Sequence, residues 1–302
     1  MSDKKYLITI IGPTAIGKTA LSIRLAHAFD CEIISCDSRQ FFKEMTIGTA
    51  VPDTGELAAA NHHFIHNKSI FEEYSVGDFE KDALAKLEEL FEHRDFAIMV
   101  GGSGLYVDAV LKGFDEFPEI EASVRERLTS EYGKNGIVFL QQRLKQLDPD
   151  YFASVDTNNP QRLMRALEVC VGTGKPYSSF RKQKTNTRNF TPVVIGLDAS
   201  REMIYERINQ RVDIMIREGL VEEARILYPN RNLNALQTVG YRELFDYFDE
   251  KITLDFAISE IKKNTRRFAK RQLTWFKRNE SVTWFGIGQD EEIVNFVRNL
   301  VL

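Results

Sequence analysis

Cysteine is scarce in this chain. Its 302 residues hold three, Cys31, Cys36 and Cys170, with no Cys-x-x-Cys pair among them. That excludes a ribbon-type zinc site and a disulfide framework, and the thiols read as reduced and buried. Long apolar runs are missing too. None approaches the roughly 18 consecutive residues that a membrane helix needs. The opening Met-Ser-Asp-Lys-Lys leads straight into an apolar segment, so no secretory leader is expected and a cytoplasmic setting with no membrane partner is. Low-complexity tracts and internal repeats are lacking, which excludes solenoids and linker arrays.

Acid is missing locally rather than overall. Net charge is −4, which by itself argues against a nucleic-acid partner. Yet between Lys262 and Arg278 lie eight cations (Lys262, Lys263, Arg266, Arg267, Lys270, Arg271, Lys277, Arg278) and no carboxylate. At 100° per residue the first six share one arc, with Ile261, Phe268 and Trp275 opposite at heptad spacing. This reads as a helix with one dry face and one wholly basic face. Lys175, Arg181, Lys182, Lys184 and Arg188 form a second acid-free stretch. Basic patches on an acidic protein point to a localised polyanion site.

What is present, and specific, is Gly12-Pro-Thr-Ala-Ile-Gly-Lys-Thr19. It matches the phosphate-loop pattern G-x-x-x-x-G-K-[ST]. The apolar run Tyr6–Ile11 precedes it and helically spaced residues from Ala20 follow, so it joins a strand to a helix. Backbone N–H groups, the helix dipole and Lys18 would face phosphate oxygens, and Thr19 would offer a hydroxyl to Mg²⁺.

Four more apolar runs read as strands: 32–35, 96–100, 192–197 and 282–285. Helical periodicity over 20–29 and 79–93 separates the early ones, so a parallel sheet flanked by helices is expected. Helices are also predicted over 125–132, 137–147, 160–171, 199–218, 220–228, 240–248 and 253–278. The fold class is α/β: a phosphate-loop core, residues 1–114 and 189–302, carrying an all-helical insertion domain over 115–188. Asp78 is expected to cap the helix that starts at Phe79. Trp275-Phe276 reads as core. His62, His63 and His66 could hold zinc, but no third ligand is evident beside the i, i+4 pair, and a structural or substrate-side role competes.

Ligands bind at the carboxyl ends of strands in such sheets. There the sequence places the phosphate loop, then Cys36-Asp-Ser-Arg-Gln-Phe-Phe42, then Gly101-Gly-Ser-Gly-Leu-Tyr106. Asp37 is a carboxylate beside the phosphate site, a general base, a metal-side group or a plain turn aspartate. Ser103 is a hydroxyl on a turn that lets backbone approach a ligand.

Gly12–Thr19, Asp37-Ser-Arg-Gln40 and Val100-Gly-Gly-Ser-Gly-Leu-Tyr106, with Thr46-Ile-Gly-Thr-Ala50, His62-His63, Tyr74–Phe79, Asn159-Pro-Gln-Arg162, Arg165–Val169, Gly174-Lys-Pro176 and Gln237-Thr-Val-Gly-Tyr-Arg-Glu243, resemble the tRNA dimethylallyltransferase family in order and over nearly the whole chain. One departure is Ser103, where the family usually has Thr. The resemblance implies transfer of a dimethylallyl group from its diphosphate to N6 of the adenine next to the anticodon, position 37 of the tRNA. It implies Gly12, Thr14, Ala15, Ile16, Gly17, Lys18, Thr19 and Arg211 on the diphosphate, with the amides of 14–19 among the donors. It also implies Mg²⁺ on Thr19, and Asp37 and Ser103 as catalytic groups. Asp37, Ser38, Arg39, Gln40, Ser103, Arg125, Gln161, Arg162, Leu163, Met164 and Arg165 are implied on tRNA, where the anticodon stem-loop is the expected contact. A monomer is expected. A small-molecule kinase, a prenyltransferase of free adenine nucleotides and a non-enzymatic RNA-binding module are the competing readings. A kinase would need a triphosphate, a prenyl transferase none.

Overall fold

A computed structural model describes residues 4–113, 115, 117–181 and 188–301. The elements run β1 (Tyr6–Ile11), α1 (Lys18–Phe29), β2 (Ile33–Ser35), α2 (Thr54–Ala59), β3 (His62–His63), α3 (Val76–His93), β4 (Phe96–Val100) and α4 (Gly104–Lys112). Then come α5 (Ala122–Leu147), α6 (Pro149–Phe152), α7 (Pro160–Thr173), β5 (Thr191–Asp198), α8 (Arg201–Arg217), α9 (Leu220–Leu227), α10 (Tyr241–Phe248), α11 (Leu254–Phe276), β6 (Thr283–Gly286) and α12 (Asp290–Val301). The chain divides into two compact units, Met1–Lys112 with Thr187–Leu302, and Gly113–Asn186.

The first unit is built on a six-stranded sheet in the order β3-β2-β4-β1-β5-β6, every pair parallel. Central β1 is buried along its whole length, as expected of a strand covered on both faces. Its alternate residues feed two cores. Tyr6, Ile8 and Ile10 pack with Leu21 and Leu25 of α1, Ile204 and Ile208 of α8, and Ile293 and Val297 of α12. Leu7 and Ile11 point the other way, toward Phe79, Leu87 and Phe91 of α3 and Val107 and Val110 of α4. A third core joins α9, α10 and the first half of α11 to Phe42 and Met45.

The second unit has its own core of Leu128, Leu140, Leu144, Leu163, Met164 and Leu167. Its long α5 breaks at Gly136 (φ 68°, ψ −168°), between the two helices expected over 125–132 and 137–147.

Several expectations are corrected. Helix α3 starts at Val76, capped by Ser75, and Asp78 is its reciprocal partner in a capping box. The cap thus sits three residues upstream of Asp78. The buried stripe of α11 is Ala257, Ile261, Ala269, Gln272 and Phe276, not the heptad Ile261, Phe268, Trp275. Phe268 is 37% exposed, and Trp275 is half-buried with its Nε1 donating to Asp108 at 2.9 Å. Phe276 is core. The basic face of α11 is also divided. Lys262 pairs with Asp213, Lys263 with Glu260 and Lys277 with Asp198. Arg266 donates to Asn209. Carboxylates from outside the run supply what the run lacks; Arg267, Lys270 and Arg271 remain as exposed cations on the helix, with Arg278 exposed just after it. Arg188 is no surface cation: it is an ion pair with Glu80 at 2.7 Å, side chains 12% and 14% exposed, and also donates to the carbonyls of Ala109 and Val110. Lys182 and Lys184 lie outside the described residues.

Candidate active site

Three strand ends of the first unit converge on one cleft of about 790 Å³. The phosphate loop follows β1. Gly12 carries φ 148°, and a Cβ there would sit 2.7 Å from the Leu197 carbonyl of β5, so only glycine lets the loop turn against that strand. Ala15 holds φ 64° without being glycine, a strained conformation of the kind that clusters at functional sites. The N–H groups of Ala15, Ile16, Gly17, Lys18 and Thr19 have no partner among the described residues. They are the open donors of a helix N-terminus and its loop, an anion cradle.

The N–H of Thr14 is an exception. It donates to Gln272 Oε1 at 2.9 Å, so the expected amide contribution from position 14 is already committed. Lys18 arches back and donates to the carbonyls of Gly12 and Pro13 at 3.1 and 2.9 Å. Burial holds its ammonium down to about 8, against the pull of Asp37. Helix α8 delivers two cations one turn apart: Arg211 donates to the Thr14 hydroxyl at 3.4 Å and Arg207 to the Ile16 carbonyl at 3.3 Å. Burial lowers Arg211, but a guanidinium stays charged.

Asp37 follows β2 and lines the cleft with Lys18, Thr19 and Arg211. Its Oδ1 accepts from the Arg39 N–H at 3.0 Å, and Oδ2 takes no hydrogen bond from the described residues. Burial pushes its carboxyl above the ordinary range, while the Arg39 amide, Lys18 and Arg39 oppose the shift. Desolvation thus dominates both members of the Asp37–Lys18 neighbourhood. Gln40 lines the cleft and ties it to the following loop, donating to the Thr49 and Ala50 carbonyls and accepting from Ser35.

Ser103 Oγ accepts from Ser38 N–H at 3.1 Å and donates to Ser38 Oγ at 3.2 Å, and neither serine is among the residues lining the cleft. The hydroxyl is a strut between the β2 and β4 loops. Arg39 also lies outside the lining and donates to the Asn234 carbonyl. In the helical unit the side chains of Leu163, fully buried, and Met164, nearly so, belong to the core. Gln161, Arg162 and Arg165 are exposed on the same helix. Arg125 and Arg165 both pair with buried Glu168, at 2.8 and 3.5 Å.

Apolar side chains of Ile47, Val51, Leu57, Ile65, Ile214, Met215 and Phe268 also line the cleft, beside the polar residues Thr46, Thr49, Asp53, Glu56, His66 and Glu218. Part of that wall is held by Glu223 of α9, whose carboxylate accepts from the N–H groups of Thr46, Ile47 and Gly48 and from the Tyr241 hydroxyl. Thus two sequence segments far apart, 46–50 and 237–243, act as one piece. Sequence reasoning missed Glu223, Arg207, Gln272 and the cleft position of His62. Gln272 did leave a signal, a polar residue on the stripe that packs inward. His62 lines the cleft with its Nε2 buried and unpartnered. His66 also lines the cleft and bonds Thr46, whereas His63 bonds Glu32. No group of three or more His, Cys, Asp or Glu side chains is gathered among the described residues.

The sequence model of the IPP transferase family matches residues 40–279. A tRNA dimethylallyltransferase of Flavobacterium johnsoniae is 67% identical over 300 residues, 97% of either chain. One from Bacteroides fragilis is 46% identical, covering 97% of this chain and 98% of its own. Among solved structures, the tRNA isopentenylpyrophosphate transferase of Bacillus halodurans superposes with TM-score 0.73 at 38% identity, over 98% of this chain and 96% of that one. A eukaryotic dimethylallyltransferase acting on tRNA gives TM-score 0.83 at 26% identity, covering 99% of this chain and 80% of its own. With a family model spanning most of the chain and full-length relatives at this identity, the chain belongs to the IPP transferase family.

Proposed function

We infer that this chain transfers a dimethylallyl group from dimethylallyl diphosphate to N6 of the adenine next to the anticodon in tRNA. The observation that carries the reading is a single cleft that holds an anion cradle, an apolar wall and a carboxyl lifted by burial, in a member of this family. The allylic C–O bond breaks and its electron pair leaves with the diphosphate. The open amides of 15–19, Lys18 and Arg211 oppose that charge, and charge neutralised where it develops lowers the barrier most. Ile47, Val51, Leu57 and Met215 suit a five-carbon chain. The N6–C bond forms from the adenine lone pair, and Asp37 Oδ2 takes the proton the amine loses.

Mg²⁺ fits the donor set as a partner of the substrate. Thr19 and Asp37 offer hard oxygens in one cleft, and Mg²⁺ commonly completes its shell with phosphate oxygens and water. When bound it would supply charge neutralisation on the leaving group. The base must leave its stack to reach this depth. Gln161, Arg162, Arg165 and Arg125 on the helical unit, and Arg267, Lys270 and Arg271 on α11, are proposed to hold loop nucleotides and phosphates. We propose that the protein acts as a monomer, which sedimentation at working concentration tests. Among the described residues no helix is long and apolar enough to cross a membrane.

The acceptor test compares an anticodon stem-loop with adenosine monophosphate, with and without ATP. Prenylation of the stem-loop alone, independent of ATP, is expected. Equal use of the monophosphate would reassign the acceptor, and strong ATP dependence would favour a kinase.

A further inference from the structure

Gln272 spans two loops with one amide. Its Oε1 accepts from the Thr14 N–H at 2.9 Å and its Nε2 donates to the Gly102 carbonyl at 2.8 Å. The residue is 5% exposed and lies on the cleft wall. A backbone N–H can only donate and a carbonyl only accept, so the amide has a single orientation here. Glutamine supplies a neutral acceptor and donor together at that reach. Glutamate would set a carboxylate oxygen against the Gly102 carbonyl, and methionine would strand both backbone groups. The fit is close: a Cβ on Gly102 would come within 2.1 Å of Nε2.

The connection continues. Gly102 precedes Ser103, whose hydroxyl bonds Ser38 on both its N–H and its Oγ, and Ser38 follows Asp37. A chain of hydrogen bonds therefore runs from the phosphate loop through Gln272 to the loop that carries Asp37. We propose that Gln272 is a positioning residue that sets the distance between the leaving-group site and the proton acceptor. It acts through its hydrogen bonds to Thr14 and Gly102. The proposal rests on the transfer reaction inferred above. Misplacement by about 1 Å costs on the order of 10²-fold in rate even when both substrates still bind.

The test uses Gln272→Met, Gln272→Glu and Gly102→Ala in the full chain. Steady-state rates with dimethylallyl diphosphate and tRNA are read beside thermal melting, inorganic pyrophosphate binding, and amide exchange of segments containing Thr14 and Gly102. Gln272→Met is expected to speed exchange in both segments and to lower kcat at least tenfold. KM for each substrate and pyrophosphate affinity should stay within threefold. Gln272→Glu keeps the Thr14 acceptor and should speed exchange mainly near Gly102. Gly102→Ala, which expels the amide, should lower kcat similarly, and combining it with Gln272→Met should add little. A merely structural role would lower the melting temperature and leave kcat of the folded protein alone. A rate within threefold of wild type, a loss confined to donor KM, or unchanged exchange at Thr14 would each overturn the proposal. If the unmodified protein fails to prenylate tRNA, the transfer reading falls. Exchange and pyrophosphate binding still report on the bridge.

Discussion

Asp37 and Lys18 share one cleft, and burial works against the charge on each. For a proton acceptor this is useful, because a carboxylate with a raised pKa is a stronger base. The base must be ionised, so kcat/KM should rise with pH through an acidic limb lying above the ordinary carboxylate range. Asp37→Asn should remove that limb and lower kcat about 10²–10⁴-fold, with stem-loop affinity kept within threefold. For Lys18 the sign runs the other way. Its folded pKa of about 8 lies below the ordinary lysine value of 10.5, so the neutral form is favoured by folding. That contribution is full above the unfolded value and is lost as pH falls through 8. A bound diphosphate should restore the charge. Donor binding at pH 8 should therefore take up about half a proton at this lysine, read by calorimetry in buffers of different ionisation enthalpy. The uptake should fade toward pH 7 and vanish in Lys18→Met. At this scale Asp37 and Lys18 were legible in the sequence because both sit at fixed offsets after strands. Gln272 was not, because its partners are backbone groups 258 and 170 positions away.

The long elements announced themselves and the short ones did not. Strand β1 and helices α3, α7, α8 and α11 each carry enough residues for a period to show. Strand β3 has two residues, α6 four and α2 six, too few for any period. Helix α4 begins on the glycine turn, where composition reads as loop. For α11 the period was visible but its phase was not. Heptad spacing picks out Ile261, Phe268 and Trp275, whereas packing selects Ala257, Ile261, Ala269, Gln272 and Phe276. Small residues let the helix approach the sheet, and the larger Phe268 is left on the cleft side. The division of the basic face follows from this phase. Replacing Arg267, Lys270 and Arg271 together by Gln should flatten the salt dependence of tRNA binding by about two to three units of slope. Arg266→Gln should leave the slope within experimental scatter, because Arg266 already serves Asn209.

Across the whole molecule, the parallel sheet could be read from where apolar runs stop. The internal ties could not. Arg188 looked like part of a basic patch, yet it pairs with Glu80 and with two carbonyls of α4. Glu80→Ala should cost about 3 kcal/mol in denaturant unfolding, since it leaves a mostly buried guanidinium without its carboxylate. Activity of the folded fraction should not change. Such ties hold α3, α4 and the start of β5 in register behind the cleft. The proposed reaction needs one site that ionises an allylic diphosphate and hands the carbon to an adenine of tRNA. The most direct measurement is nucleoside mass analysis of unmodified tRNA incubated with the protein, dimethylallyl diphosphate and Mg²⁺. One adenosine, that next to the anticodon, is expected to gain a single C₅H₈ unit, and Asp37→Asn protein to yield almost none. An unchanged adenosine profile with wild-type protein that binds both substrates would contradict it.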